Sequence, residues 1–353
     1  MKKVALDNLG LGQPGVAAAL AAAILFGAST PFAKLLLTAV NPWLLAGLFY
    51  LGSGIGLMLY RVLSNAAAVK LPRREALWFV GAILSGGVVA PVLLMIGLTG
   101  TPASGASLLL NAEGVFTALL AWFAFKENFD QRIALGMLAI VAGAGVLSWQ
   151  GETSFFGLWP SLSLLGACLA WGIDNNLTRK VSLTDATWIA AVKGLAAGSV
   201  NLTLALMLGA SLPAWPYLLG AMTVGFFSYG VSVALFVIGL RMLGTARTGA
   251  YFSVAPFVGA VIALTFGEPL TLPLVVAGAL MALGVWLHLT EHHRHEHTHV
   301  ALQHTHEHVH DEHHQHTHTF PVAYGTKHTH LHQHMAMAHT HDHFPDVHHQ
   351  HKH

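Results

Sequence analysis

The sequence predicts an all-α polytopic membrane protein, with ten transmembrane helices arranged as two inverted five-helix repeats and a disordered His-rich tail behind them. Three observations carry this. Between Val16 and Leu289 the chain holds ten apolar stretches long enough to cross a bilayer. The two halves of that body repeat each other at a nearly constant offset. All 25 histidines lie from His288 onward, and none occurs before it.

The apolar stretches are Val16–Leu37, Pro42–Leu63, Ala76–Leu98, Ala103–Phe125, Ile133–Trp149, Leu158–Thr178, Ala186–Leu208, Trp215–Leu240, Thr248–Phe266 and Leu270–Leu289. A helix rises 1.5 Å per residue, so roughly 17 to 25 apolar residues span a hydrocarbon core of about 30 Å. The connections are short, which leaves no room for an inserted soluble domain. The organisation expected is a cytoplasmic N-terminus (1–15), a first repeat (16–149), an external linker (150–157), a second repeat (158–290) and the tail (291–353). Lys2 and Lys3 ahead of Val16–Phe26 have the outline of a signal peptide, but Asp7 and Pro14 interrupt it. The single cysteine, Cys168, excludes an intrachain disulfide and a cysteine-clustered metal site. In an apolar helix it reads as a packed, inert thiol.

Charge placement predicts the orientation. With the N-terminus inside, Lys2, Lys3, Arg61, Lys70, Arg73, Arg74, Lys126, Arg132, Arg179, Lys180, Arg241 and Arg247 all fall on the cytoplasmic side. The tail adds Arg294, Lys327 and Lys352. The connections near Gly100, Glu152, Ser211 and Glu268 carry no basic residue, and only Lys34 and Lys193 sit within helices. Both termini are therefore expected in the cytoplasm, with the protein multi-pass in the inner or plasma membrane.

The repeat is legible residue by residue. Phe26-Gly27-Ala28-Ser29-Thr30-Pro31-Phe32-Ala33-Lys34 in the first stretch answers Trp171-Gly172-Ile173-Asp174-Asn175-Asn176-Leu177-Thr178-Arg179 in the sixth. The same offset of 145 carries Trp43 onto Trp188 and Ala46 onto Ala191. Ile96-Gly97-Leu98 recurs as Ile238-Gly239-Leu240, and Glu127 answers Glu268. Five helices per half is an odd number, so the second half runs inverted, the architecture of secondary transporters with a site near the midplane.

On these residues the chain resembles the drug/metabolite transporter superfamily, specifically tandem EamA-domain proteins, over about Val16 to Leu289. The resemblance rests on the aromatic-Gly followed seven residues later by a basic residue, and on the small-residue run leading into a helix that ends in Glu. It implies ten helices, alternating access and transport of small molecules, commonly outward and proton-coupled, with no enzymatic activity. The family pattern has proline in the middle of the fourth helix of each half. The second half keeps it as Pro256, whereas the first has Glu113 in Asn111-Ala112-Glu113-Gly114-Val115. The kink expected there is therefore in doubt, and a carboxyl has been gained.

Glu113 lies ten residues after Ala103, near the bilayer centre, where a lone charge costs at least about 2.5 kcal/mol. It should face the bundle interior as a coupling carboxyl, or hold its helix to Asn or Ser neighbours. Asn111 points about 160° away around the helix. Asp174, Asn175 and Asn176 form a second polar knot. Asp174 and Lys193 lie at similar depths in consecutive helices and pair plausibly, as a structural salt bridge or as a gate. Lys34 and Arg179 hold equivalent places near helix ends, where long side chains reach the headgroups, with a transport role as the sharper reading. Trp171, Tyr50, Tyr229 and Tyr251 read as packing or interface aromatics, with a cavity lining as the alternative. Gly52 and Gly56 are spaced for close helix contact.

The tail is expected to bind metal. Neutral imidazole is the common ligand of nickel, cobalt, zinc and copper, and H-x-H pairs in an extended chain chelate. The candidate ligands are His292, His293, His295, His297, His299, His304, His306, His308, His310, His313, His314, His316, His318, His328, His330, His332 and His334. With few apolar residues the segment should be disordered without metal. Its sites should be many and weak, and should empty below about pH 6.5.

Two transport readings follow, and a third without transport. The first is a drug/metabolite-type secondary transporter, a proton-coupled efflux system for a small molecule with the tail as a metal-binding accessory. The second is a divalent metal exporter (Ni, Co or Zn) fed by the tail. The third is a membrane-tethered metal store or sensor. No cofactor is required in any of them, beyond the metal the tail would hold. The partners expected are the small-molecule or metal-ion substrate and lipid, with no nucleic acid, and a homodimer is an assembly open to the chain.

Overall fold

The computed structural model describes residues 14–69, 71–125, 131–148, 155–182, 184–289, 294–299, 302–308, 328–334 and 337–342. Several expectations lie outside these residues: the N-terminal 1–13, most of the 150–157 linker, Lys70, Lys126 and Glu127. So do His292, His293, His310, His313, His314, His316 and His318. The chain divides into two compact units, Met1–Glu291 and His292–His353.

Among the described residues, helices occupy all ten apolar stretches. The first two spans are Pro14–Leu36 and Pro42–Leu63. The third runs Arg73–Gly100 through a π-helical segment at Ile83–Val89. The fourth is Ala103–Leu109 and Ala112–Phe125, the fifth Gln131–Ser148, the sixth Phe155–Arg179 and the seventh Ala186–Met207. The eighth begins at Trp215–Gly225, passes a π-helical Phe226–Val231 and continues into Ser232–Phe252. Ala255–Thr265 completes the ninth, and Leu272–Leu289 is the tenth. Helix geometry persists through the eighth-to-ninth connection, yet the chain doubles back, because Thr248 packs against Gly239. A straight helix would hold residues nine apart about 13 Å from each other.

Six helices among the described residues are long and apolar enough to cross a membrane by length and composition alone. The sixth span is a 25-residue helix outside that set; it carries Asp174, Asn175, Asn176 and Arg179, which dilute its apolar character. The outward faces are greasy: Ile24, Leu59, Leu77, Phe123, Leu138 and Trp286 are all exposed. Lipid, not water, is the solvent that leaves such faces without cost. This is a multi-pass membrane protein.

The packing repeats with the sequence. The second span packs on the seventh, the fifth on the tenth and the fourth on the ninth, each joining equivalent helices of the two halves. The first packs on the eighth and ninth, and the sixth on the third and fourth, which are mirrored contacts. Glycines permit the closest approaches. A side chain at Gly54 would meet Gly194 and Leu195, one at Gly52 would meet Met222, and one at Gly56 the ring of Phe226. The starts of the second and seventh spans are capped alike. Asn41 accepts from the Trp43 and Leu44 amides, and Asp185 from the Trp188 amide.

Both third-of-half helices are π-helical at equivalent places, and the fourth-of-half helices break at equivalent places. The first of these breaks corrects the doubt about the kink. The fourth span is interrupted at Leu110–Asn111 although no proline is there. The turn tightens to i→i+3 bonds, with the Asn111 amide reaching the Leu108 carbonyl, the Glu113 amide Leu110 and the Gly114 amide Asn111. The Asn111 side chain donates to the Leu108 carbonyl at 3.1 Å and contacts Met281 Sδ at 3.7 Å. The Cys168 thiol lies 3.7 Å from the Leu109 carbonyl that the break releases.

Short paired segments are described in the tail. Strands β1 (Arg294–His299), β2 (Leu302–His308), β3 (His328–His334) and β4 (Met337–Asp342) form two antiparallel ribbons, β1 with β4 and β2 with β3. The H-x-H alternation has the two-residue period of a strand, so a composition too polar for a core still matches strand pairing.

Candidate functional site: a polar cavity between the halves

The site begins with a proline. Pro91 has no N–H, and in the π-helical segment the Ala90 amide reaches back to Ser85. The carbonyls of Gly86 and Gly87 thereby lose their helical donors, and side chains from other helices replace them. Tyr50 Oη donates to the Gly86 oxygen at 2.6 Å and Trp171 Nε1 at 3.1 Å. The Asn201 amide donates to the Gly87 oxygen at 3.1 Å. One interrupted helix thus anchors the second, sixth and seventh spans around it.

Beside this anchor is a small cavity. Phe26, Tyr50, Trp171, Tyr229, Phe236 and Phe252 supply its aromatic wall, and Glu113, Asp174, Asn175 and Lys193 its polar one. The rings interlock: Phe26 stands edge-on to Trp171 at 5.5 Å, and Tyr50 and Tyr229 are 5.1 Å apart. The Tyr229 hydroxyl is buried without a hydrogen-bond partner among the described residues, an uncommon condition for a buried polar group.

The break in the fourth span sets Glu113 at the start of a new helical segment facing the sixth span. Asn175 Nδ2 donates to its Oε1 at 2.8 Å and lies 3.3 Å from the Thr117 hydroxyl. Glu113 belongs to the first half and Asn175 to the second, so this bond crosses the boundary between halves. Gly172 lets the helices approach, since a side chain there would meet Phe116 and Thr117. Asp174 forms a buried ion pair with Lys193 and also accepts from the Thr178 hydroxyl at 2.9 Å. Asp174 is 5% and Lys193 4% exposed, so each charge depends on the other.

Of the residues singled out from sequence, Glu113, Asp174, Asn175, Lys193 and Trp171 meet at this cavity. Asn176 stands behind it, donating to the Thr117 and Gly172 carbonyls. Lys34 caps the end of the third span, its ammonium donating to Leu98 O at 2.5 Å and Thr101 O at 3.0 Å. Helix-end carbonyls lack intrahelical donors and carry the negative end of the dipole. Arg179 ends the sixth span half-buried and outside the cavity lining. Tyr50 and Tyr229 line the cavity instead of merely packing, whereas Tyr251 is not among its lining residues. Phe236, Phe252 and Ser232 gave no signal in the sequence. Phe26 did, as the aromatic of the repeated aromatic-Gly pair.

Two further clusters brace the body away from the cavity. Both carboxylate oxygens of Glu268 accept amides at the start of the fourth span, Ala103 at 2.7 Å and Ser104 at 2.8 Å. At the head of the seventh span, Arg61 pairs with Asp185 at 2.7 Å and with the Thr187 hydroxyl at 2.7 Å. Burial raises the Asp185 carboxyl, but Thr187, the Trp188 amide and Arg61 outweigh it and hold it at about 2, below its ordinary 3.8.

Comparison with known proteins agrees with this geometry. The model of the EamA-like transporter family matches twice, at residues 13–149 and 158–290. An uncharacterized transporter of Methanothermobacter thermautotrophicus is 30% identical over 295 residues, 77% of this chain and 85% of that protein. A protein of Salmonella typhimurium named as a probable amino-acid metabolite efflux pump is 29% identical over 46% of this chain and 52% of its own length. A crystal structure at 17% identity shares the fold, with a TM-score of 0.62 over 77% of this chain and 95% of that one.

Proposed function

The chain belongs to the EamA-like transporter family, whose members are membrane transporters and not enzymes, and from that premise we propose that it moves a small organic molecule outward in exchange for a proton taken up at Glu113. The observation that carries this is the 2.8 Å hydrogen bond from Asn175 to Glu113 across the two halves. Alternating access rocks one half against the other around a fixed site. A carboxylate only accepts a hydrogen bond, whereas a carboxyl also donates one, so protonation changes which partner the opposite half must present.

The aromatic wall supports an organic substrate over a bare ion, and the unpartnered Tyr229 hydroxyl offers it a polar contact. The similarity to the Salmonella protein named as a probable amino-acid metabolite efflux pump supports outward movement of a metabolite. The distribution of Lys and Arg supports cytoplasmic termini and residence in the inner or plasma membrane. The tail then meets cytosolic metal as an accessory to the transporter. The metal-exporter reading keeps one observation in its favour, the tail itself. Growth of deletion and overexpressing strains across nickel, cobalt, zinc and copper separates the two readings.

The direct test is flux in proteoliposomes under an imposed pH gradient. Glu113→Gln should abolish gradient-driven flux in a protein that remains folded and inserted. Flux with an unchanged pH dependence in that variant would remove Glu113 from the mechanism.

A further inference from the structure

The third and fourth spans are joined by Thr101 and Pro102 alone, so two helix ends face each other across a very short connection. The last carbonyls of the third span lack helical donors, and the first amides of the fourth lack acceptors. Lys34 of the first span donates to the Leu98 and Thr101 carbonyls at 2.5 and 3.0 Å. Glu268, in the connection between the ninth and tenth spans, accepts the Ala103 and Ser104 amides at 2.7 and 2.8 Å. Each charge has the sign that its helix end favours. Gly267, at φ 96°, turns the chain after the ninth span, and the Glu268 amide bonds back to the Ala263 carbonyl, which fixes where the carboxylate stands. Two residues before each of these charges, Phe32 meets Phe266 edge-on at 5.5 Å. Cation, anion and ring pair thus tie the first, fourth and ninth spans together at one end of the body.

The cavity lies deeper than this tie. Phe26, which lines it, stands eight residues before Lys34 in the first span, about 12 Å along the axis. Asp174 and Thr178 line it from the last two turns of the sixth span, toward the opposite end. Between cavity and tie the three spans are closed on one another. A side chain at Gly27 would meet the Ala255 carbonyl, and one at Gly259 would meet the Gly27 carbonyl and the Ser107 hydroxyl. In this closed layer the Ser107 hydroxyl is buried with no hydrogen-bond partner among the described residues. Ser29 and Thr30 of the first span are buried at the same level. A permanently dry contact gains nothing from an unpaired hydroxyl, whereas a surface wetted in another state does. We propose that Lys34 and Glu268 are positioning residues that form the outer gate of the transport path. They hold the first, fourth and ninth spans closed over the cavity, and releasing the Thr101-Pro102 connection opens a passage past Ser107. This rests on the reading of the chain as an alternating-access transporter, in which this end is external.

The test places a reporter thiol in the cavity of the full-length protein, with Cys168→Ser as background. Phe252→Cys, at a half-buried lining position, is exposed in sealed proteoliposomes to a membrane-impermeant charged thiosulfonate. Ala66→Cys and Ser211→Cys, at opposite ends of the body, identify the face that the reagent reaches. The reporter should react faster from the Ala66 end. Lys34→Met with Glu268→Gln should raise its rate from the Ser211 end about tenfold, the shift that loss of charged caps gives a two-state equilibrium. Each single substitution should give a smaller rise, and Lys34→Arg, which keeps the charged donor, should give none. An unchanged rate from the Ser211 end would overturn the gate. So would an equal rise from both ends, which is what loosened packing produces, or a starting protein that reacts faster from the Ser211 end. Spin labels at Phe32→Cys and Phe266→Cys give a second measurement. One short distance should be joined by a longer one when Lys34 and Glu268 are substituted, and a distance that never lengthens would overturn the gate. Neither measurement involves Glu113 or a pH gradient. A working gate in a protein without gradient-driven flux would therefore remove the proton-coupled reading and leave the gate standing.

Discussion

The fourth and ninth spans hold the same place in their halves and break at the same point, Leu110–Asn111 in one and Ser253–Val254 in the other. Three residues after the first residue of each break the ninth carries Pro256 and the fourth carries Glu113. The comparison shows that the break belongs to the packing and not to proline. Where Asn111 and i→i+3 bonds hold it open, the proline position is free for a carboxyl. The pattern extends through the site. At the repeat offset, Asp174 and Asn175 answer Ser29 and Thr30, and Lys193 answers Leu48. Both halves supply the same helices, π segments and glycine contacts, but the charged groups lie on one side of the pseudo-two-fold. Architecture is duplicated while chemistry is not, so the body has one polar cavity wall and a largely apolar counterpart.

The largest effect that could break this comparison is functional. Glu113→Pro restores the family residue at a place where the chain is already broken. It should insert and fold, and its flux in proteoliposomes should lose all response to a pH gradient. A variant that fails to fold would show that the two breaks are not equivalent. Next in size is the ion pair present on one side only. Asp174→Asn leaves Lys193 buried and uncompensated and should destabilise the protein by about 3–5 kcal/mol, read as thermal unfolding in detergent. The double variant Asp174→Asn with Lys193→Met should recover most of that loss. Glu268→Gln weakens the charged cap of the fourth span and should cost about 0.5–2 kcal/mol in the same assay, with flux retained.

The smallest effect concerns the head of the seventh span. The Asp185 carboxyl is held down at about 2 against an ordinary 3.8, so its contribution is fully present above about pH 4 and disappears as pH falls toward 2. The side chain is 41% exposed, and solvent screens the pair. Asp185→Asn should therefore lower the neutral plateau of a stability profile slightly and flatten its acid limb, and a new slope near neutral pH would contradict the assignment.

Much of this was legible in the chain because it is periodic. Apolar length marked the spans, the repeated aromatic-Gly and Ile-Gly-Leu segments marked the halves, and a carboxyl amid apolar residues marked Glu113. The pairing of Asp174 with Lys193 followed from equal depth and opposite charge. Other features were not legible because they depend on contacts distant in sequence. The destination of Lys34 was set by the open carbonyls at the end of the third span, and the aromatic wall by rings from five different spans.

By itself the sequence determined a ten-span body, its internal repeat, its family and the presence of a carboxyl in mid-membrane, since hydropathy and repetition are properties of residues in order. Only the tertiary structure decided that Pro91 leaves carbonyls for Tyr50, Trp171 and Asn201 to satisfy. It alone put Glu113 on Asn175 of the other half. Those outcomes depend on which helices and strands become neighbours, and a hydrogen bond forms only where donor and acceptor are brought within about 3 Å.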